Sequence, residues 1–221
     1  MPTKVFDVTP VTLPSDAAAA WAAIPVTIAS DITAGRVVVD PLIRPLRPFA
    51  IGRRLVGRAV TAWCERSDFG AMLHAIDIAG AGDIVVVAAG GCLQTAYAGE
   101  ILCGYARKKG IAGLIVDGAV RDIDTIAAFD DFSVFARGHT PRGPLSKERG
   151  TVNGRIVLGG TAVAPGDIIL GDNDGLAAIP AGEASTLLTT AQARVQMEEQ
   201  WVAQLASGGT LVSTFAVPEA I

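Results

Sequence analysis

The residues best equipped for chemistry lie between Gly99 and Asp124, in the stretch GEILCGYARKKGIAGLIVDGAVRDID. Arg121 and Asp122 stand side by side there. An arginine grips a carboxylate or a 2-oxoacid with two parallel hydrogen bonds. An adjacent aspartate offers hard oxygen to Mg2+ or Mn2+, ions that keep several of their waters. Glu100 supplies a second carboxylate, able to hold one of those waters. The Gly99-Glu100 pair opens a helix, whose first N–H groups and positive dipole end hold a small carboxylate or phosphate. An isolated Arg-Asp pair is usually a surface ion pair, and a strand-to-helix connector is usually only a connector. The coincidence of the two with glycine turns at strand ends points to a site.

Those residues need a scaffold. Leu55 to Trp63 and Ile84 to Ala89 have the composition of buried strands, with a glycine turn at Gly90-Gly91 after the second. A helix is expected over Gly99–Lys109, stopped by Gly110, with Ile101, Leu102 and Tyr105 on one face. A strand over Ala112–Val116, a short helix over Ile123–Phe129 and a strand over Ser133–Ala136 follow. Upstream, residues 1–13 read as an extended arm. Ser15-Asp16 caps an Ala-rich helix ended by Pro25, and Ser30-Asp31 caps another turn. Gly70 to Ile78 reads as a helix with Met72, Leu73 and Ile76 inward and His74 in the core or a site wall. Residues 138–150 form a polar loop. Downstream, strands over Arg155–Leu158, Asp167–Leu170 and Leu176–Ile179 include a hairpin around Gly171–Gly175. A long helix spans Ala184–Leu205 and ends at Gly208-Gly209. The mixture predicts an α/β fold with mixed sheets, occupying residues 1–221 as one domain.

Composition excludes several functions. The chain has 221 residues, half of them hydrophobic, and a net charge of −4. That charge disfavours nucleic acid as a partner. The arginines at 44, 47, 53, 54 and 58 lack interleaved aromatics and read as a solvated edge or a subunit contact. Three cysteines without a CxxC pair argue against a disulfide framework and a zinc site. Cys103 reads as a small buried apolar residue. Gly80-x-Gly82 precedes its strand instead of following it, and no GK[ST] occurs, so nucleotide-binding loops are excluded. The Gly171–Gly175 turn is too short for a calcium loop. No signal peptide and no membrane span is visible, so a cytoplasmic protein is expected.

Across most of its length the chain resembles the class II pyruvate aldolases typified by 4-hydroxy-4-methyl-2-oxoglutarate aldolase, a family that includes the RraA-like regulators of ribonuclease E. The resemblance lies in LVGRAVT at 55–61, AGAGDIVVV at 79–87, the stretch 99–122, FARGHTPRG at 135–143, PGDIILGDNDGLAAIP at 165–180 and ARVQMEEQ at 193–200. It implies a β/β/α swivelling-domain fold assembled as a homotrimer or a hexamer made of two trimers. It also implies metal-dependent cleavage of a 4-hydroxy-2-oxoacid (4-hydroxy-4-methyl-2-oxoglutarate or 4-carboxy-4-hydroxy-2-oxoadipate) to pyruvate, with oxaloacetate decarboxylation as a side activity. By motif, Asp122 ligates Mg2+ or Mn2+. Arg121 binds the 2-oxoacid and stabilises the enolate. Glu100 orients a water on the metal as proton donor, and the backbone around Gly99, Ile101 and Leu102 holds the pyruvyl carboxylate. Glu198 or Glu199 of an adjacent subunit reaches the metal's water shell. No lysine lies on a buried strand to form a Schiff base, which favours the metal route. One departure is Thr125, where the family often has an acidic residue. The regulator branch commonly lacks the metal-binding aspartate that is present here. A non-enzymatic regulator, or a lyase acting on another oxoacid or sugar acid, are the alternative readings.

Overall fold

The computed structural model describes residues 2–8 and 13–218. Of the expected N-terminal arm, Lys4–Val5 forms strand β1; residues 1 and 9–12 lie outside the described residues. Helices α1 (Ser15–Ala22) and α2 (Val26–Ile32) follow. Neither is capped by the expected serine-aspartate pair: α1 begins at Ser15, one residue past its cap. Proline occupies both N-caps, Pro14 and Pro25, and Ser30-Asp31 lies inside α2. Asp172 does the capping of α2 from a distance, its Oδ2 accepting the Val26 N–H at 3.0 Å. Strand β2 (Arg44–Pro45) interrupts an otherwise irregular connector.

The centre of the fold is a run of strand, helix and strand. It comprises β3 (Leu55–Trp63), α3 (Gly70–Ile78), β4 (Asp83–Ala98), α4 (Glu100–Lys108), β5 (Gly113–Val120), α5 (Ile123–Ala127) and β6 (Ser133–His139). β3, β4, β5 and β6 pair in parallel, in that order. Their side chains alternate between two faces, the period-2 consequence of a pleated strand. Val85, Val87, Leu114, Val116 and Val134 face α3, α4 and α5 in one cluster. Ile84, Val86, Ile115 and Phe135 face the opposite way, in a second cluster.

That second face is covered by strands. β7 (Thr151–Val152) is not part of that cover: it extends the sheet at the end of β3, with Val152 on the helix side. β8 (Ile156–Leu158) and β9 (Thr161–Val163) form a separate hairpin. β10 (Ile168–Gly171) and β11 (Leu176–Ile179) form another, and β10 runs antiparallel to the first half of β3. The architecture is therefore mixed α/β: helices, a mostly parallel sheet, then strands. A 3-10 turn (Ala181–Glu183) leads into α6 (Ala184–Ala206). α6 packs with α1 and α2 on β10 and β11, burying Trp21, Ile28, Leu170, Ile179 and Ala191. A short α7 (Leu211–Thr214), capped reciprocally by Thr210 and Ser213, folds back so that Phe215 meets Trp201 edge-on. β7, β9 and α7 are too short for periodicity to announce them.

The expected turn at Gly90-Gly91 is not the end of its strand. β4 continues to Ala98, and the residues paired with β5 step from Ala88 to Cys92 to Ala96 to Ala98 while β5 advances one residue each time. These are bulges, which insert unpaired residues into one strand. Gly90 and Gly91 carry positive φ, 60° and 70°, to make the first of them. β4 passes into α4 through Gly99 alone. The hairpin at 171–175 stands. Only Gly175 has positive φ there, while Asp172 caps α2 and Asn173 exchanges two hydrogen bonds with the Phe49 backbone.

The arginine-rich stretch is partly the expected solvated edge: Arg44, Arg47 and Arg53 are exposed, while Arg54 and Arg58 are half-buried. Arg58 grips Asp83 with two bonds, at 2.9 and 2.8 Å. Arg54 donates to the Ala22 carbonyl and Arg44 to that of Asp174. Among the described residues, no helix is long and apolar enough to cross a membrane.

Candidate active site

β4 and β5 end side by side, Ala98 opposite Val120. The carboxyl edge of parallel strands is where open α/β sheets bind ligands. Arg121 and Asp122 emerge there, and the Arg121 N–H donates to the Ala98 carbonyl at 2.9 Å. Asp122 adopts left-handed backbone (φ 58°) as the N-cap of α5, a conformation aspartate tolerates better than most residues. The twist turns its carboxylate back towards α4, where Oδ2 accepts the Glu100 N–H at 3.0 Å. Arg121 Nε lies 3.6 Å from the same oxygen. The structure thus brings Arg121, Asp122, Gly99 and Glu100 together.

Gly99 is required by space, not by φ. A Cβ there would meet Asp122 Oδ2 at 2.3 Å and Arg121 Cγ at 3.0 Å. Gly143 also lies against Arg121, where a Cβ would meet Nη1 at 2.9 Å, a contact the flexible guanidinium can move to relieve. The loop carrying Gly143 is pinned by the Ala96 N–H to the Arg142 carbonyl, 2.7 Å, and the Thr140 N–H to the Val120 carbonyl, 3.0 Å. Sequence reasoning missed Gly143. Its only signal is a glycine among prolines and basic residues, which marks a loop and no more.

The amino end of α4 presents the Ile101 and Leu102 N–H groups, which helix geometry leaves without intrahelical acceptors. Of the expected apolar face of α4, Leu102 packs on the core, whereas Ile101, 76% exposed, and Tyr105 are turned outward; Cys103 and Ala106 are buried. The helix therefore keeps an uncovered apolar strip beside the site. Burial, and secondarily the charge of Asp122, push the Cys103 thiol up to about 12, which agrees with an inert packing residue. His74 is exposed on α3, which overturns its core reading, and no hydrogen bond or ion pair joins it to Arg121 or Asp122.

Glu198 and Glu199 stand on α6, which packs on α2. Within one chain they are not brought to Asp122 by any hydrogen bond or ion pair among the described residues. Glu198 accepts from Arg194 Nε at 3.0 Å; Glu199 is exposed.

The donors present suit a hard divalent cation. Asp122 Oδ2 accepts the Glu100 N–H while Oδ1 accepts no hydrogen bond among the described residues, and Glu100 adds a second, exposed carboxylate. Among the described residues no group of three or more His, Cys, Asp or Glu can enclose a metal. An ion held here keeps most of its waters, as Mg2+ and Mn2+ do.

A family model for RraA-like proteins (Aldolase/RraA) matches residues 12–178. The chain belongs to this family. A protein of Halalkalibacterium halodurans named "Putative 4-hydroxy-4-methyl-2-oxoglutarate aldolase" is 36% identical over 176 residues, 80% of this chain and 82% of that one. The solved RNA-processing inhibitor RraA from Thermus thermophilis is 29% identical, with a TM-score of 0.63 over 71% of this chain and 92% of that one. An uncharacterized protein from Pseudomonas syringae pv. tomato shares the fold at a TM-score of 0.82 and 24% identity, over 96% and 99% of the two chains.

Proposed function

We propose that this RraA-like protein, working as one domain, is a divalent-metal-dependent pyruvate aldolase. Its substrate is a 4-hydroxy-2-oxoacid of the 4-hydroxy-4-methyl-2-oxoglutarate or 4-carboxy-4-hydroxy-2-oxoadipate type, and oxaloacetate decarboxylation is its side activity. The observation that carries this reading is the convergence of Arg121, Asp122 and the amino end of α4 on one open edge of the sheet.

Asp122, with Glu100 nearby, would hold Mg2+ or Mn2+, and the ion supplies a Lewis acid for charge that develops on the substrate. The Ile101 and Leu102 N–H groups receive the pyruvyl carboxylate. Arg121 binds the 2-oxo oxygen and stabilises the enolate charge that appears as the C3–C4 bond breaks. A water held by Glu100 takes the 4-hydroxyl proton in that step, and the hydroxyl oxygen becomes the carbonyl of the departing oxoacid. The Glu100 carboxylate, exposed beside Asp122, directs the returning proton to C3 of the enolate and releases pyruvate.

The apolar strip at Ile101 and Tyr105 supports assembly as a trimer or hexamer, with a neighbouring subunit closing the site. Glu199 is the better placed of the α6 carboxylates to reach across, because Arg194 already occupies Glu198.

Pyruvate release from 4-hydroxy-4-methyl-2-oxoglutarate and from oxaloacetate, followed with and without Mg2+ or Mn2+, tests the reading. Metal-dependent release abolished by a chelator supports it. Metal binding without turnover would mean a different oxoacid. Neither binding nor turnover would favour a regulator, the role the name of the Thermus relative describes for that protein.

A further inference from the structure

At the opposite end of the sheet, the connector 45–56 and the segment 126–134 enclose a cleft of about 220 Å³. Leu46, Phe129 and Phe132 give it apolar walls, and Arg47, Arg53 and Arg54 line it with positive charge. Arg47 and Arg53 take part in no ion pair among the described residues. Each makes one long hydrogen bond, 3.3 Å, to the carbonyl of Phe129 or Asp130, which leaves most of the five donors of each guanidinium unused. Arg54 Nε is buried without a hydrogen-bond acceptor, 3.6 Å from Asp172 Oδ2. The two aspartates of the cleft, Asp130 and Asp131, are both engaged by Arg107, which is not among the lining residues. Arg107 is also the first cause holding the Asp131 carboxyl below its ordinary range, with Arg53 contributing a weaker, more distant attraction.

We propose that this cleft binds a small carboxylate carrying an apolar group. Arginines with spare donors grip a carboxylate in two-pronged fashion, and the aromatic walls take the apolar part. The cleft has room for several water molecules, which suits an acid the size of benzoate. An inorganic anion would leave the walls unused, and an uncharged ring would leave the guanidiniums unpaired.

The site is separate from Arg121-Asp122. Neither residue lines the cleft, and β5 runs from the cleft end of the sheet to the edge that carries them. One element touches both. Asp122 caps the start of α5, while Ile126 and Ala127 at its other end, with Phe129 just beyond, line the cleft. A ligand that fixes this end of a five-residue helix bears on its cap, and through Asp122 Oδ2 on the Glu100 N–H. Occupancy of the cleft therefore tunes the carboxylate at the other edge.

Calorimetric titration with benzoate, inorganic phosphate and benzyl alcohol tests this, with the Glu100 amide resonance as the second readout. Neither measurement uses turnover, so the aldolase reading can fail without deciding the outcome. Arg47→Ala/Arg53→Ala, both exposed positions, should weaken benzoate at least tenfold, and Arg121→Ala should leave that binding intact. Phosphate and benzyl alcohol should each bind at least tenfold more weakly than benzoate, and saturating benzoate should shift the Glu100 amide. Absence of benzoate binding at tens of millimolar overturns the proposal, as does equal affinity in the double variant. Loss of binding in Arg121→Ala alone places the carboxylate at the other site and also overturns it. Phosphate binding as tight as benzoate would refute the ligand class, and binding with an unmoved Glu100 amide would refute the coupling.

Discussion

Two arginine–aspartate pairs depend on β5, and they are built in opposite ways. Asp117 lies within the strand. Its Oδ1 accepts from Arg137 Nε at 2.6 Å and its Oδ2 from the Gly159 N–H at 3.1 Å, and Arg137 reaches on to Asp40 at 2.8 Å. Those side chains are 8% and 15% exposed. Asp122, five residues later, keeps Arg121 at 3.6 Å, with exposures of 37% and 42%. The first network ties the sheet to its covering strands and leaves little for a ligand. The second is loose, open and short of partners. An exposed pair at that separation contributes about 0–1 kcal/mol to stability, so fold stability does not account for its presence at the strand edge. Buried and saturated means structural here; open and under-satisfied means available.

The sharpest way to break that contrast is to truncate each aspartate. Asp117→Ala leaves Arg137 with Asp40 alone and the Gly159 N–H without its acceptor, a loss of about 1–3 kcal/mol, read by urea unfolding. Asp122→Asn should move unfolding by no more than about 1 kcal/mol yet reduce pyruvate release by about 10²–10³-fold, the scale of removing one electrostatic stabiliser of a transition state. If the two variants exchanged behaviours, the assignment of roles would be wrong.

This contrast is only partly legible in the sequence. The helices and strands around Leu55–Trp63 and Gly70–Ile78 follow from periodicity because long apolar runs have one way to bury themselves. Arg121-Asp122, Glu100 and the α4 amino end follow from the order strand, glycine, helix. Asp117 was not singled out, because its partners Arg137 and Gly159 lie 20 and 42 positions away and no local pattern records them. The bulges of β4 were misread as a turn for a related reason. Gly90-Gly91 has the composition of a chain reversal, and only the pairing with β5 shows that the strand goes on. Asp172 likewise reads as a turn residue, while the helix it caps lies far upstream in sequence. Glu198 and Glu199 are not brought to the site by a single chain, so their assignment rests on assembly.

Gly99→Ala probes how tightly the open pair is held. Its Cβ would sit 2.3 Å from Asp122 Oδ2, so the carboxylate must swing away from the Glu100 N–H. The stability cost is that of overpacking, about 1–3 kcal/mol. Displacing a reacting group by an ångström reduces turnover by about 10–10²-fold. A Gly99→Ala enzyme with full pyruvate release would show that Asp122 needs neither that contact nor that position, and the availability argument would weaken accordingly.

The smallest effect concerns acid stability and the closed network. The Leu42 N–H, and then Arg137, hold the Asp40 carboxyl below its ordinary 3.8. A carboxylate whose pKa is lower in the folded chain contributes stability above the unfolded value and loses it as pH falls through the folded one. Asp40 therefore contributes in full at neutral pH, and the contribution fades below about pH 4. Asp40→Asn retains an acceptor for the Leu42 N–H but no charge, so its stability curve should fall less steeply on the acid side than that of the wild type. Thermal unfolding from pH 6 to pH 2.5 measures the difference. If the two curves keep a constant offset through that range, Asp117 alone neutralises Arg137. The closed network would then be a pair like Arg121-Asp122, set apart from it by burial and not by the number of its partners.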